Sequence, residues 1–97
     1  MSIKVVVELT ARPGERDELQ SRFEQMLAVH GSDLPGFLGS SRFGKADEPD
    51  VLVEIADWES AAARDAHMAE AAAAGTYGPL FAMLAEPPRI TVLSPLV

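Results

Sequence analysis

Few side chains in this sequence can move a proton or hold a flat ring, and several of them gather around ADWESAAARDAH, residues 56–67. Trp58, the only tryptophan, closes an alternating, strand-like run, and His67, one of two histidines, follows two turns into what reads as a helix. Glu54 lies four residues before Trp58, on the same side of a strand of period two. An imidazole, with an ordinary pKa of about 6.5, suits proton transfer near neutrality. A carboxylate turned beneath helices has a raised pKa and can act as a base. Each of the three also has a plain structural reading. Trp58 can fill the gap between sheet and helix, His67 can be an exposed or capped helix histidine, and Glu54 can pair with Arg42 on the neighbouring strand. Glu8, of the same parity on the first strand, is the rival carboxylate.

Helical spacing puts His67 on a stripe with Ser60, Ala63, Arg64, Ala71 and Ala74, mostly small residues that leave room for a ligand. Phe23, Phe43, Tyr77 and Phe81 are available to line an aromatic cavity, and the Tyr77 hydroxyl is suited to a phenolic ligand. The candidates are therefore His67, Trp58 and Glu54 for catalysis, with Phe23, Phe43, Arg64, Tyr77 and Phe81 for substrate binding. His30 reads instead as a favourable charge at a helix end. Neither histidine has the HExxH or CxxC spacing of a metal site, so no metal is expected. No GxGxxG or phosphate loop is present.

The elements that must position these residues follow from changes in hydrophobic period. Ile3 to Leu9 is short and β-branched, and reads as a strand ended by Ala11-Arg12-Pro13-Gly14. From Glu15 the spacing of Leu19, Phe23, Met26, Leu27 and His30 predicts an amphipathic helix, stopped at Gly31. After the Pro35-Gly36 turn, Phe37 to Phe43 is a second strand with those two aromatics on one face. Val51 to Asp57 is a third strand. Ser60 is suited to cap an alanine-rich helix, Ala61 to Ala74, that ends at Gly75. Thr76 is placed to cap a short helix carrying Tyr77, Leu80, Phe81 and Leu84, and Arg89 to Leu93 is a last strand.

The order β-α-β-β-α-β predicts an α+β, ferredoxin-like domain over residues 1–97, a four-stranded antiparallel sheet with helices on one face. Ile3/Val5/Val7/Leu9 and Val51/Val53/Ile55 form purely aliphatic rows, whereas Glu8, Glu54 and Trp58 fall on mixed ones. The mixed side is expected to form a cleft beneath the helices. The aliphatic side is expected to be covered by a second copy, making a homodimer through the sheet face. On this geometry Trp58 and His67 look into one hollow under the alanine-rich helix.

Composition narrows the partners. The net charge of −7, with only eight scattered Lys and Arg in 97 residues, is the wrong sign for nucleic acid or anionic membranes. The absence of cysteine removes disulfides, thiolate metal sites and a thiol nucleophile, and fits a cytoplasmic protein. No apolar run is long enough for a membrane span, and MSIKVVVEL is too short for a signal core.

RPGERDEL at the first strand–helix junction, LPGFLGS at the second strand, and DWES followed by His67 together resemble the antibiotic biosynthesis monooxygenase family. The resemblance spans nearly the whole chain and implies a dimeric α/β-barrel fold. It implies a cofactor-independent monooxygenase acting with O2 on an aromatic polyketide, anthrone or quinol, in which an indole at Trp58 lines the pocket and a helix histidine stands at His67. An isomerase or cyclase of a small carbonyl metabolite on the same scaffold, and a non-catalytic dimeric binding module, are the alternatives. Glu54 occupies a position where some anthrone oxygenases carry asparagine, and this chain has no asparagine. That absence also removes the haem-degrading version of the family, whose pocket includes one.

Overall fold

A computed structural model describes residues 2–96, the Ser32 side chain excepted. The elements are β1 (Ile3–Thr10), α1 (Arg16–His30), a 3-10 turn (Gly31–Asp33), β2 (Phe37–Gly44), β3 (Val51–Trp58), α2 (Ala61–Ala74), α3 (Gly78–Phe81) and β4 (Arg89–Leu93). The strands form one antiparallel sheet in the order β2-β3-β1-β4, the ferredoxin-like arrangement.

Local chemistry accounts for most element ends. The Ser60 hydroxyl accepts from the Ala63 N–H at 3.1 Å, satisfying one of the orphan donors that begin α2. Gly75 closes α2 in the left-handed region at φ 69°, where its N–H and that of Thr76 meet the last carbonyls. Two ends differ from expectation. Gly31 keeps a right-handed φ of −59°, and the chain runs on through the 3-10 turn instead of stopping. Tyr77, not Thr76, stands at the start of the four-residue α3.

Register decides which residues share a face. Opposite residues of an antiparallel pair project to the same side. Leu9 faces Leu52, Val7 faces Glu54, Val5 faces Ala56 and Ile3 faces Trp58. The aliphatic row of β1 therefore lies with Glu54 and Trp58 beneath the helices. This corrects the expected assignment of that row to the subunit face. Glu8, which faces Val53, is on the open side, so it is no rival to Glu54. Alternation within each strand is legible in sequence, but the phase between two strands is set by the register alone.

A bulge produces the second correction. Phe37 pairs with Trp58, while Gly39 pairs with the next residue, Asp57, so Leu38 is an extra residue that reverses the parity of β2. Phe37 packs under the helices and Phe43 faces out beside Val53, about half exposed. Phe43 is thus removed from the substrate-binding candidates.

The core has two parts. Leu9, Ala11, Leu19, Phe23, Leu52 and Leu80 pack where α1 and α3 meet the sheet. Ile3, Val5, Ala56 and Trp58 pack at the other end, with Leu34, Phe37 and Ala63 against them. Val7 touches both, and its cross-strand partner Glu54 is at the seam. The helix-side row nearest that seam is Ser40–Ala56–Val5, floored by small side chains. With α2 built largely of alanine and fully burying only Ala71, space is left between sheet and helices.

Candidate active site

That space is an apolar cleft. Its volume is about 80 Å³, and it opens to solvent. Phe23, Phe37, Trp58, Tyr77 and Phe81 supply aromatic wall, and the sheet residues Val5, Val7 and Ala56 supply floor. Glu54 and Arg64 are the charged residues that line it. No helix among the described residues is long and apolar enough to cross a membrane. Nor do three His, Cys, Asp or Glu side chains among them gather as a metal site would require.

Among the described residues, Glu54 is the one charged residue in the buried core, 8% exposed. Burial raises its pKa, because a carboxylate loses its hydration there. The nearby Ser40 hydroxyl and the charges of Arg42 and Arg64 pull in the opposite direction but leave the net shift upward. The expected Glu54–Arg42 ion pair does not form. Arg42 sits opposite Glu54 in register, but its Nε donates to Glu24 at 3.0 Å and its Nη1 to the Ser40 hydroxyl at 2.9 Å. Arg64 enters from α2, and its Nε is buried without a hydrogen-bond partner.

An aromatic ladder crosses from sheet to helices. Phe37 lies 5.2 Å from Trp58, Trp58 stacks on His67 at 5.4 Å, His67 meets Tyr77 edge-on at 5.8 Å, and Tyr77 stacks on Phe81 at 6.1 Å. His67 Nε2 and the Tyr77 hydroxyl are 2.6 Å apart, a short hydrogen bond. Burial lowers the His67 pKa; the Glu70 charge raises it, and the Arg64 charge lowers it further. Burial and the Glu54 charge raise the Tyr77 pKa, against the pull of Arg64.

The cleft brings together Trp58, Glu54, Phe23, Arg64, Tyr77 and Phe81 of the sequence candidates. It does not take in His67 directly. Although stacked on Trp58, the imidazole borders a second hollow of about 340 Å³ between α1 and α2, with His30, Asp33 and Glu70. The expectation that indole and imidazole look into one hollow is corrected accordingly: they share a stack but face separate spaces, and Tyr77 lines both. Phe37 was missed because the bulge disguises its face. Met68, one residue past His67 on α2, also lines the cleft, a position that its alanine-rich helix did not betray.

A family model described as antibiotic biosynthesis monooxygenase matches residues 2–76. No curated protein matches the sequence. Among solved structures, the ActVA-Orf6 monooxygenase of Streptomyces coelicolor, in complex with nanaomycin D, superposes with a TM-score of 0.83 at 21% identity, covering 99% of this chain and 88% of its own. A variant of SnoaB, a cofactor-independent oxygenase from Streptomyces nogalater, superposes at 0.78 with 20% identity, covering 97% and 92%. A putative antibiotic biosynthesis monooxygenase from Bordetella bronchiseptica superposes at 0.84 with 16% identity, covering 99% and 98%.

Proposed function

The chain belongs to the antibiotic biosynthesis monooxygenase family, and from that premise we propose that it oxidises a flat phenolic compound, of the aromatic polyketide, anthrone or quinol type, with O2 and without a cofactor. The observation that carries the reading is the cleft, where one buried carboxylate and one guanidinium stand among rings and aliphatic side chains. The ligand named for the S. coelicolor neighbour and the cofactor-independent chemistry named for SnoaB support it.

A flat ring enters edge-on along Trp58 and Phe37, with its far edge in the open mouth. Glu54, its pKa raised by burial, takes the proton from the reacting carbon. Arg64 balances the resulting anion, and does so strongly because the apolar walls screen little. The anion gives one electron to O2, the two radicals combine as a peroxide, and loss of water leaves a carbonyl. For an anthrone the CH2 carbon loses two hydrogens and gains one oxygen, and the other oxygen leaves as water. The test is an oxygen electrode with anthrone as substrate. O2 consumption matched by quinone formation is expected; turnover that proceeds under argon would replace this reading with an isomerase.

The same reading includes a homodimer formed through the open face of the sheet. Val6, Val53 and Ile55 are half-buried there, and Phe43 and Leu93 stand exposed beside them. The Lys4–Asp57 pair, at 2.6 Å, and the Lys45–Glu8 pair, at 3.8 Å, stand on the same face around this centre. An apolar centre with a charged rim suits a self-complementary contact. Phe43→Glu is expected to convert a dimer into a monomer in sedimentation equilibrium. A wild-type protein that sediments as a monomer would end this part of the reading.

A further inference from the structure

We infer that Tyr77 and His67 form a proton wire through the wall between the cleft and the hollow between α1 and α2, and that the cleft accordingly takes substrates presenting a phenolic or enolic O–H to the Tyr77 oxygen. The inference rests on the reading of the cleft as a ring-binding site. Glu54 on the sheet serves the reacting carbon; the wire serves the oxygen at the other end of the ring, so the two protons of the substrate have separate acceptors.

Three observations point this way. Tyr77 is the one residue of the hydrogen-bonded pair that lines both spaces, while His67 borders only the outer one. Their 2.6 Å contact is short enough for direct proton transfer. The imidazole is held in place by Trp58 stacked on it and by Tyr77 at its edge. Burial keeps His67 uncharged and Tyr77 un-ionised near neutrality, the state in which the phenol donates to Nε2 and leaves its lone pairs free for a substrate hydroxyl.

The step then balances without any redox partner. The substrate O–H bond breaks and its proton bonds to Tyr77 Oη, while the proton already on Oη passes to His67 Nε2. The imidazolium releases its Nδ1 proton to water in the outer hollow. One proton leaves the substrate and one reaches solvent, and Tyr77 is left donating to the new phenolate. The charges facing the imidazole suit a carrier. Glu70 on α2 favours the imidazolium and Arg64 on α2 opposes it. His30 of α1 and Asp33 after it border the same hollow, and Glu54 acts on Tyr77 from across the cleft.

The test uses 2-naphthol as probe, because its excited state is a strong acid and its neutral and ionised forms fluoresce at different wavelengths. With the full chain, bound naphthol is expected to emit as naphtholate. In Tyr77→Phe and His67→Gln it is expected to bind still, by displacement of Trp58 fluorescence, but to emit as neutral naphthol. In His67→Ala, added imidazole diffusing into the vacated hollow is expected to restore naphtholate emission. Naphtholate emission that persists in both conservative variants would overturn the wire and leave the cleft reading intact. Failure of naphthol to bind the wild-type protein would overturn the cleft reading itself, and the wire with it.

Discussion

Glu54→Gln is expected to lose turnover by about 10²–10⁴-fold, the usual contribution of a positioned general base, and at the same time to gain stability at neutral and alkaline pH. The two effects come from one cause. Gln keeps the shape of Glu and can still meet the Ser40 hydroxyl, so the cleft is preserved. It cannot accept a proton from carbon, so the chemistry is not. The stability gain arises because the wild-type carboxylate is held at the floor of an apolar cleft, where ionisation is disfavoured by burial before Ser40, Arg42 and Arg64 offset part of the penalty.

The sign follows from proton linkage. The folded-state pKa of Glu54 is raised above its ordinary value of 4.5. Between those two values the folded chain holds a proton that the unfolded chain has released, so folding weakens as pH rises through that window. Below pH 4.5 both states carry the proton, and wild type and variant should show nearly equal stability. The difference should open from there upward and level off above the folded-state pKa. Urea unfolding of the two proteins at a series of pH values measures it. A variant no more stable than wild type at pH 8 would mean that Glu54 is not desolvated, and a variant with undiminished turnover would remove Glu54 as the base.

How much of this was legible in the sequence depended on which symmetry the residues could break. Element order was legible because each change of period is bounded by a cap or a turn: Pro13-Gly14, Pro35-Gly36, Ser60 and Gly75. The proximity of Trp58 and His67 was legible too, since a strand end and the helix that follows it are tied by a few residues of chain. The faces of β1 were not. The aliphatic row of β1 was grouped by composition with Val51, Val53 and Ile55, and composition does not say which row of one strand lies beside which row of the next. Only the pairing of Val7 with Glu54 decides it. Phe43 was lost to a single inserted residue, Leu38, whose bulge leaves no mark in an alternating pattern.

The roll of α2 was hidden for a different reason. A helix is oriented by the contrast between its apolar and polar faces, and alanine at so many positions flattens that contrast. Arg64 and His67 lie three residues apart, yet one lines the sheet-side cleft and the other the outer hollow. A difference of some 60° around a helix axis separates the two spaces, and the hydrogen bond between His67 and Tyr77 is what joins them.

The junction that holds α2 over the cleft carries the largest expected loss of stability, at Gly36. Leu34-Pro35-Gly36-Phe37 is a tight turn closed by the Phe37 N–H on the Leu34 carbonyl at 3.1 Å, with Gly36 at φ +82°, the position where such a turn requires a left-handed residue. Its carbonyl accepts from the Glu59 N–H at 2.8 Å, tying the turn to the end of β3. A Cβ on Gly36 would stand 2.5 Å from the Ala63 Cβ, closer than two carbons can approach. Gly36→Ala therefore combines about 1–2 kcal/mol of left-handed strain with about 1–3 kcal/mol for displacing the first turn of α2. The sum is a large share of the roughly 5–15 kcal/mol that holds a small domain together. Because the clash and the strain have separate sources, they can be separated by a double-mutant cycle. Ala63→Gly alone should destabilise by about 1 kcal/mol through lost helix propensity, yet in the Gly36→Ala background it should restore stability by removing the opposing methyl. Thermal or urea unfolding of the four proteins reads the coupling directly. Strict additivity would show that the turn does not rest on α2, and that the roof of the cleft is positioned by Trp58 and Phe37 alone.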